Sequence, residues 1–465
     1  MLGWLAAVGI LVALVLLWPA TRHLASGALT AALLSGWGPK LSDRCVSDPA
    51  AVSLVCKPSA LANYLLKHCA TFRRFGTGPG WGWRASPLLQ TLLAVCWPSA
   101  SAVRFVRDYL QLGDEGLVAL DWAVAGAAGG HKRRRTSSNS TNPVLLVIPN
   151  SFGKITGNVL KLCEVALGHG YLPVVFNRRS QNGTPLTTPR LQQFGDPADL
   201  REAVRYIRYR QPSGRLYAVS ESSGSGLLLS YLGECGSSSY VTAAACLSPL
   251  FRCQSWFEDG PPWLYRWALL LYQKISLSRY RTALGEALQV DQLFCSRTLR
   301  GVEETLFCQP GQPGGSAVAN WEAYWERNDP LRDVDEVAIP VLALCSQDDP
   351  VRGEPGSTLP LELFETNPHF FLLLTAQGGH CGFSAEGEGE GGPLWSHRAL
   401  LEFFRSTTDF FAAEERAKQA ARRRGLGGGV GARGFRHRSV STCKRLPTCS
   451  HNIHAIYSWQ RSYTR

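Results

Sequence analysis

Six short, almost uninterrupted apolar runs constrain this chain more than any other feature. They are PVLLVIP (143–149), YLPVVF (171–176), RLYAV (215–219), YVTAAACLS (240–248), PVLALCS (340–346) and HFFLLL (369–374). Between the earlier runs lie stretches with helical spacing: ITGNVLKLCEVALGHG (155–170), DPADLREAVRYIRYRQ (196–211), which opens on an Asp-Pro cap pair, and a leucine-rich segment after residue 223. A strand buried on both faces reads as a continuous apolar run, and alternation with amphipathic helices places helices on both sides of a parallel sheet. The expected fold is α/β, a mostly parallel sheet with helices on both faces.

The rest of the 465 residues divides around that core into expected segments. Residues 1–20 form a membrane anchor or signal peptide, 21–84 a lead-in with a helix near 58–70, 85–412 the α/β domain, and 413–465 a basic, largely disordered tail. The loop over 126–142 reads as a polar surface excursion. The stretch between about 250 and 330 interrupts the strand–helix rhythm and is crowded with Trp, Tyr and Leu. It is expected to be a helical lid with Trp256, Trp263 and Trp267 lining or anchoring it; helices simply packed over the sheet are the plainer reading.

Charge narrows the function. The net charge of +12 suggests nucleic acid until it is localised. Residues 416–465 hold twelve Lys and Arg and no acid, which leaves 36 basic and 36 acidic residues in the first 415. A neutral body argues against a basic groove and against nucleic acid as partner. The 14 cysteines are scattered singly, many within apolar runs, without a C-x-x-C or a His/Cys cluster of zinc spacing, so reduced thiols and no metal site are expected. Cys45 with Cys56, or Cys443 with Cys449, can pair only in an oxidising compartment.

Residues 2–20 are uncharged and about the ~20 residues a bilayer crossing needs. Arg22, Lys40 and Arg44 follow, which favours an uncleaved anchor with a cytosolic body; secretion through a cleaved signal peptide is the alternative. Sequons at Asn139 and Asn182 do not decide between them. In the tail, RHRSVS sets Arg436 and Arg438 three residues before Ser439 and Ser441, a spacing suited to basic-directed phosphorylation. Phosphates there weaken any attraction of the tail to an anionic membrane surface.

The chemistry concentrates at LYAVSESSGSGLLLSYLGE (216–234), where an apolar strand turns into a helix over serines and glycines. A nucleophile elbow holds its serine at positive φ, with small residues two before and two after. Ser222 at the apex has Ser220 and Gly224 as those neighbours. Ser220 at the apex has Ala218 and Ser222 and no glycine, and Ser223 puts Glu221 in the tight slot. Ser222 fits best. Its partners should follow in the order Asp, then His, each just beyond a strand. SQDDP offers Asp348 and Asp349, of which Asp349 is preferred, and QGGHCGF offers His380. Backbone N–H groups of Ser223 and of Ser151, in the loop PNSFG, are the candidate oxyanion donors.

The pieces SPLLQTLL, EGLVALDW, VVFNRRSQNGTPLTTPRL, DPADLREAVRYIR, LLSYLGECG, IPVLALCSQDDP and GGHCGF lie between about 86 and 405. On them the chain resembles the AB hydrolase 4 group of α/β-hydrolases. The resemblance implies a serine esterase or lipase acting on lipid esters with Ser222, Asp349 and His380, without a cofactor. The sequence departs from that pattern at the elbow, where SESSGS stands for approximately G-x-S-L-G-G, and at Asn150, which replaces a glycine. Ser220 tightens the turn and Glu221 sets a carboxyl beside the candidate nucleophile. The alternative function is a weak or inactive hydrolase serving as a regulatory, protein-binding scaffold in lipid metabolism.

Overall fold

A computed structural model describes residues 52–75, 87, 88, 90, 91, 103–125, 141–286, 288–308, 320–383 and 394–426. The expected anchor at 2–20, the loop at 126–140, and Ser439 and Ser441 lie outside the described residues. So do Cys45, Cys443 and Cys449.

In chain order the sheet is built from β1 (Val52–Val55), β2 (Val103–Gln111), β3 (Leu117–Ala125), β4 (Val144–Ile148), β5 (Leu172–Asn177), β6 (Leu216–Glu221), β7 (Val241–Leu247), β8 (Val341–Ser346) and β9 (Phe370–Thr375). The nine strands are arranged β1-β9-β8-β7-β6-β4-β5-β3-β2. β5, β4, β6, β7, β8 and β9 run parallel, whereas β1 on β9, β3 on β5 and β2 on β3 are antiparallel. All six apolar runs are strands of the parallel centre, and the α/β architecture is as expected.

Alternate residues of each central strand feed different layers. Val144, Leu146 and Ile148 of β4 join one core, with α3 (Ala198–Arg210) and α4 (Gly224–Cys235) packed on it through residues such as Val204 and Leu228. Leu145 and Val147 join the other, against α1 (Ala60–His68), α2 (Gly157–Gly168) and the C-terminal helix Trp395–Leu426. This period-two division is what a strand covered on both faces requires.

Three features differ from the sequence expectation. The body begins in the lead-in rather than at 85. β1 extends the sheet, and α1, capped by Ser59 Oγ accepting from Ala62 N at 3.1 Å, buries Leu61 and Leu65 beside Phe403 and Phe404. The β2–β3 hairpin adds two strands outside the six runs: β2 mixes polar and apolar residues and alternates half-buried with exposed positions, whereas β3 reads LVALDWAVA, apolar except for Asp121 and buried from Val118 to Ala123. The C-terminal helix passes 412 and ends at Leu426. Its last turns, EERAKQAARRR, are rich in helix formers and carry a Glu414–Lys418 ion pair at 2.6 Å, and the glycines of the tail follow.

One buried cluster ties the far edge of the sheet together. Arg179, just after β5, donates from Nε and Nη2 to both oxygens of Asp199 at 2.7 Å, and from Nη1 to Asp114 at 2.7 Å in the β2–β3 turn. Asp199→Ala leaves this guanidinium buried with half its partners gone. Its expected cost is about 3–5 kcal/mol of folding free energy, read from urea denaturation of the two proteins.

Candidate active site

β6 ends at Glu221 and α4 begins at Gly224, so the chain reverses within two residues. Ser222 takes φ +53°, in a region that costs a non-glycine residue about 1–3 kcal/mol. Its N–H donates to the Leu247 carbonyl of β7 at 2.8 Å, which ties the strained residue to the sheet. The neighbours show why small residues are needed. A Cβ on Gly224 would lie 2.1 Å from the Pro149 carbonyl oxygen. Ser220 is fully buried, and its hydroxyl donates to Ser225 Oγ at 3.0 Å.

Two loops beyond the same edge of the sheet bring the remaining groups in. His380 Nε2 lies 2.7 Å from Ser222 Oγ, and His380 Nδ1 lies 2.8 Å from Asp349 Oδ2. Asp349 Oδ1 accepts from the Val351 and Arg352 N–H groups at 2.9 and 3.0 Å. Burial by itself raises the Asp349 pKa, but the adjacent His380, then Arg352 and its N–H, outweigh that and hold the carboxyl below its ordinary value. Asp348 does a different job, accepting from Gly379 N at 2.9 Å and so fixing the histidine loop. The sequence did not point to three other supports. Thr91 Oγ1 accepts from His380 N, Ser248 Oγ accepts from Cys381 N, both at 2.9 Å, and Asn158 donates to the Cys381 carbonyl. Thr91 and Asn158 lie in helical segments and Ser248 just after β7, and no residue pattern marks them.

The loop after β4 is a closed turn. Gly153 N donates to the Asn150 carbonyl at 2.8 Å, and the Asn150 side chain meets the Lys154 backbone in both directions at 3.4 Å. Asn150 therefore organises the loop. Gln181 Nε2 donates to the Ser151 carbonyl at 2.8 Å. Ser151 and Ser223 are brought together, and directly: Ser151 N donates to Ser223 Oγ at 3.0 Å, and Ser151 Oγ to the same oxygen at 2.8 Å.

The insertion is helical and has its own core. Its helices are α5 (Cys253–Asp259), α6 (Trp263–Ser278), α7 (Arg281–Gly285), α8 (Val290–Cys295), α9 (Leu299–Phe307) and α10 (Trp321–Asn328). Phe257, Tyr324 and Trp325 pack there with Phe152 and Phe194 from the loops below. Trp256 is buried and anchors the insertion, its Nε1 donating to the Val351 carbonyl at 3.0 Å, two residues from Asp349. Trp263 and Trp267 are 60% and 51% exposed, so neither lines an enclosed cavity. Both lie one turn apart on α6 and share one face of it. Tyr265 instead faces inward, its ring edge-on to His380 with centroids 6.4 Å apart. A small solvent-open cleft of about 80 Å³ runs from Ser151 and Phe152 past Arg178 to Leu277 and Phe307, and its lining includes neither Ser222 nor His380. Among the described residues no group of three or more His, Cys, Asp or Glu can hold a metal ion, and the cysteines are unpaired thiols.

No family model matches the chain. Its similarity to individual proteins is extensive. It is 53% identical over 434 residues to human Protein ABHD15, an alignment spanning 92% of this chain and 89% of that protein. The chain belongs to the ABHD15 family of α/β-hydrolases. It is also 28% identical over 335 residues to mouse Phospholipase ABHD3, covering 71% of this chain and 78% of that one. To the monoacylglycerol lipase of Saccharomyces cerevisiae it is 24% identical over 284 residues, covering 58% and 61%. Two of these relatives of the ABHD15-family chain are thus named for lipid hydrolysis, one a phospholipase and one a monoacylglycerol lipase.

One side chain sets this site apart electrostatically. Glu221, next to Ser222, is fully buried, and Thr156 Oγ1 meets its two carboxyl oxygens at 2.9 and 3.0 Å. Burial raises its pKa to about 7, with the Thr156 hydrogen bond, His380 and Lys154 pulling the other way. The folded state therefore favours the neutral carboxyl. The resulting stabilisation is complete below the ordinary value of 4.5 and is lost as pH rises through about 7. Between these limits the wild type should lose stability relative to Glu221→Gln, by an amount on the order of 3 kcal/mol. Paired thermal melts from pH 4 to pH 8 check it, and parallel curves for the two proteins contradict it.

Proposed function

We propose that this chain is a serine hydrolase that cleaves carboxylic esters of lipids through an acyl-enzyme. The observation that carries the reading is the hydrogen-bonded relay from Ser222 through His380 to Asp349, with both contacts below 2.9 Å and all three residues buried. In the first step Ser222 Oγ attacks the ester carbonyl and its proton passes to His380 Nε2. Asp349, kept ionised, holds Nδ1–H and stabilises the imidazolium. The carbonyl oxygen becomes an anion facing the N–H groups of Ser223 and Ser151. His380 then protonates the leaving alkoxide, and water repeats the cycle to release the acid.

The lipid part of the reading draws on the relatives, one named a phospholipase and one a monoacylglycerol lipase. It also draws on the apolar side chains Phe152, Phe194, Leu277 and Phe307, which are among the walls of the small cleft that opens at Ser151. We further propose that residues 2–20 anchor the protein in a membrane with the body in the cytosol, and that Ser439 and Ser441 are phosphorylated. Among the described residues no helix is long and apolar enough to cross a membrane. The half-buried Asn182 side chain donates to Asn177 Oδ1 at 2.8 Å, an arrangement a glycan there would disrupt, and this favours the cytosolic placement.

Full-length protein in mixed micelles should hydrolyse monoacylglycerols or lysophospholipids and take up a fluorophosphonate probe. Ser222→Ala should abolish both, and Asp349→Asn should lower kcat on the order of 10⁴-fold by leaving the imidazole in the wrong tautomer. Folded wild-type protein that neither labels nor hydrolyses, with vesicles present, rejects the enzyme and leaves the scaffold reading.

A further inference from the structure

The N–H group of Ser151, one of the two proposed oxyanion donors, already has an acceptor. Ser223 Oγ lies 3.0 Å from Ser151 N and 2.8 Å from Ser151 Oγ, and Ser223 is 1% exposed. At 3.0 Å this is an ordinary hydrogen bond, within the range an oxyanion itself adopts from such a donor. The acceptor is also local. Ser223 sits immediately after Ser222 and immediately before α4, where its backbone is αR and its side chain caps no helical N–H. Its hydroxyl is free of any helix-capping duty and turns instead toward the loop after β4. That loop is not free to yield, because the Asn150 turn and Gln181 hold it from both ends.

From this arrangement we infer that the Ser223 hydroxyl is an internal stand-in for the substrate's carbonyl oxygen, one that every ester must displace before the oxyanion hole can act. The inference rests on the serine-hydrolase reading above and adds a rate-limiting feature to it. In the resting protein the hole is preformed, since its loop donor is already aimed at an oxygen, and it is also occupied. When substrate binds, Ser223 rotates about χ1, the Ser151 N–H exchanges a hydroxyl acceptor for the carbonyl oxygen, and the Ser223 N–H, which is backbone, stays in place. The exchange is favourable only as charge develops, because an anion accepts a hydrogen bond more strongly than a neutral hydroxyl. A neutral ground-state carbonyl gains little over the hydroxyl it replaces. The stand-in therefore discriminates against weakly activated esters and favours carbonyls that polarise early.

The test removes the hydroxyl and keeps the N–H. With the full chain, the second-order rate of labelling by an alkyl fluorophosphonate is measured for wild type, Ser223→Ala, Ser151→Ala, the double variant and Ser222→Ala. In the reaction Ser222 Oγ bonds to phosphorus, the P–F bond breaks, fluoride leaves, the serine proton passes to His380, and the phosphoryl oxygen enters the hole. Ser223→Ala is expected to label about 3- to 10-fold faster than wild type, the range one neutral hydrogen bond represents. Ser151→Ala keeps its N–H but loosens Ser223, so it should be faster by a smaller factor and add nothing in the Ser223→Ala background. Turnover of a short-chain p-nitrophenyl ester should rise in parallel.

A rate for Ser223→Ala equal to or below wild type overturns the inference, because a structural or donor role for the hydroxyl predicts loss on its removal. Additive effects of the two substitutions overturn it as well. If no variant labels although all are folded, and Ser222→Ala is indistinguishable from the rest, the hydrolase reading itself fails. That result is separable from a wild type that labels at a rate Ser223→Ala does not raise.

Discussion

The whole site depends on one close approach in the middle of the sheet, where helix α4 leaves β6 against the end of β4. Gly224 lies against the Pro149 carbonyl so tightly that a single carbon on it would collide. That contact lets the helix start two residues after the strand and drives Ser222 into the left-handed region. The strain is offset by tying Ser222 N to Leu247 on the neighbouring strand, so the serine is raised above the sheet edge without losing its place in the hydrogen-bonded lattice. β8 and β9 run parallel to β6 and end on the same side, which delivers Asp349 and His380 to that point. Had any of these strands been antiparallel, the three side chains would not share an edge.

The same dependence explains what was legible in the sequence. Central parallel strands are buried on both faces, so PVLLVIP, YVTAAACLS and PVLALCS betray themselves as apolar runs. Ser222, Asp349 and His380 sit shortly after such runs, and the small neighbours and glycine an elbow calls for favour Ser222 over Ser220 and Ser223. β2 escaped because its polar and apolar residues are mixed and leave no apolar run, and β3, LVALDWAVA, is interrupted by Asp121, whose carboxylate pairs with Arg107 of β2 at 2.7 Å, a bond no local pattern announces. β1 escaped because four residues are too few to show a period. The supports of His380 come from residue 91 and residue 248, hundreds or scores of positions away, and hydroxyls carry no pattern that announces a long-range bond. The tail's helical start was hidden by its charge, since RRR reads as a solvated run whether or not the backbone beneath it is helical.

Within the site, hydrogen-bond capacity is nearly exhausted, and this governs its electrostatics. Thr156 shows the point. Its hydroxyl oxygen caps α2 by accepting from Val159 N at 3.2 Å, while its single proton goes to Glu221. No second donor from that side chain is left for the carboxylate, and a fully buried carboxylate with one donor is poorly compensated. Asp349 has the opposite provision: two backbone N–H groups, an imidazole and a nearby guanidinium. Two buried carboxyls within one site thus diverge, one held ionised and one poised near neutrality, because the donors are unequally shared.

That division bears on how charge can move during an acyl transfer. In the acyl transfer we propose, attack by Ser222 creates a positive imidazolium and a negative oxyanion together, so a neighbouring carboxylate favours the first and opposes the second. His380 and Glu221 attract each other when both are charged, and His380 pulls the Glu221 pKa down against the stronger effect of burial. Protonation of His380 during the reaction therefore makes Glu221 a stronger acid at the moment the oxyanion appears. A neutral Glu221 spares the oxyanion that repulsion, and an ionised one lends the imidazolium support. In the proposed reaction, with Ser223 standing in the hole and Glu221 poised beside it, the departures at SESSGS both act on the free energy of negative charge above Ser222, and Glu221 acts on His380 as well.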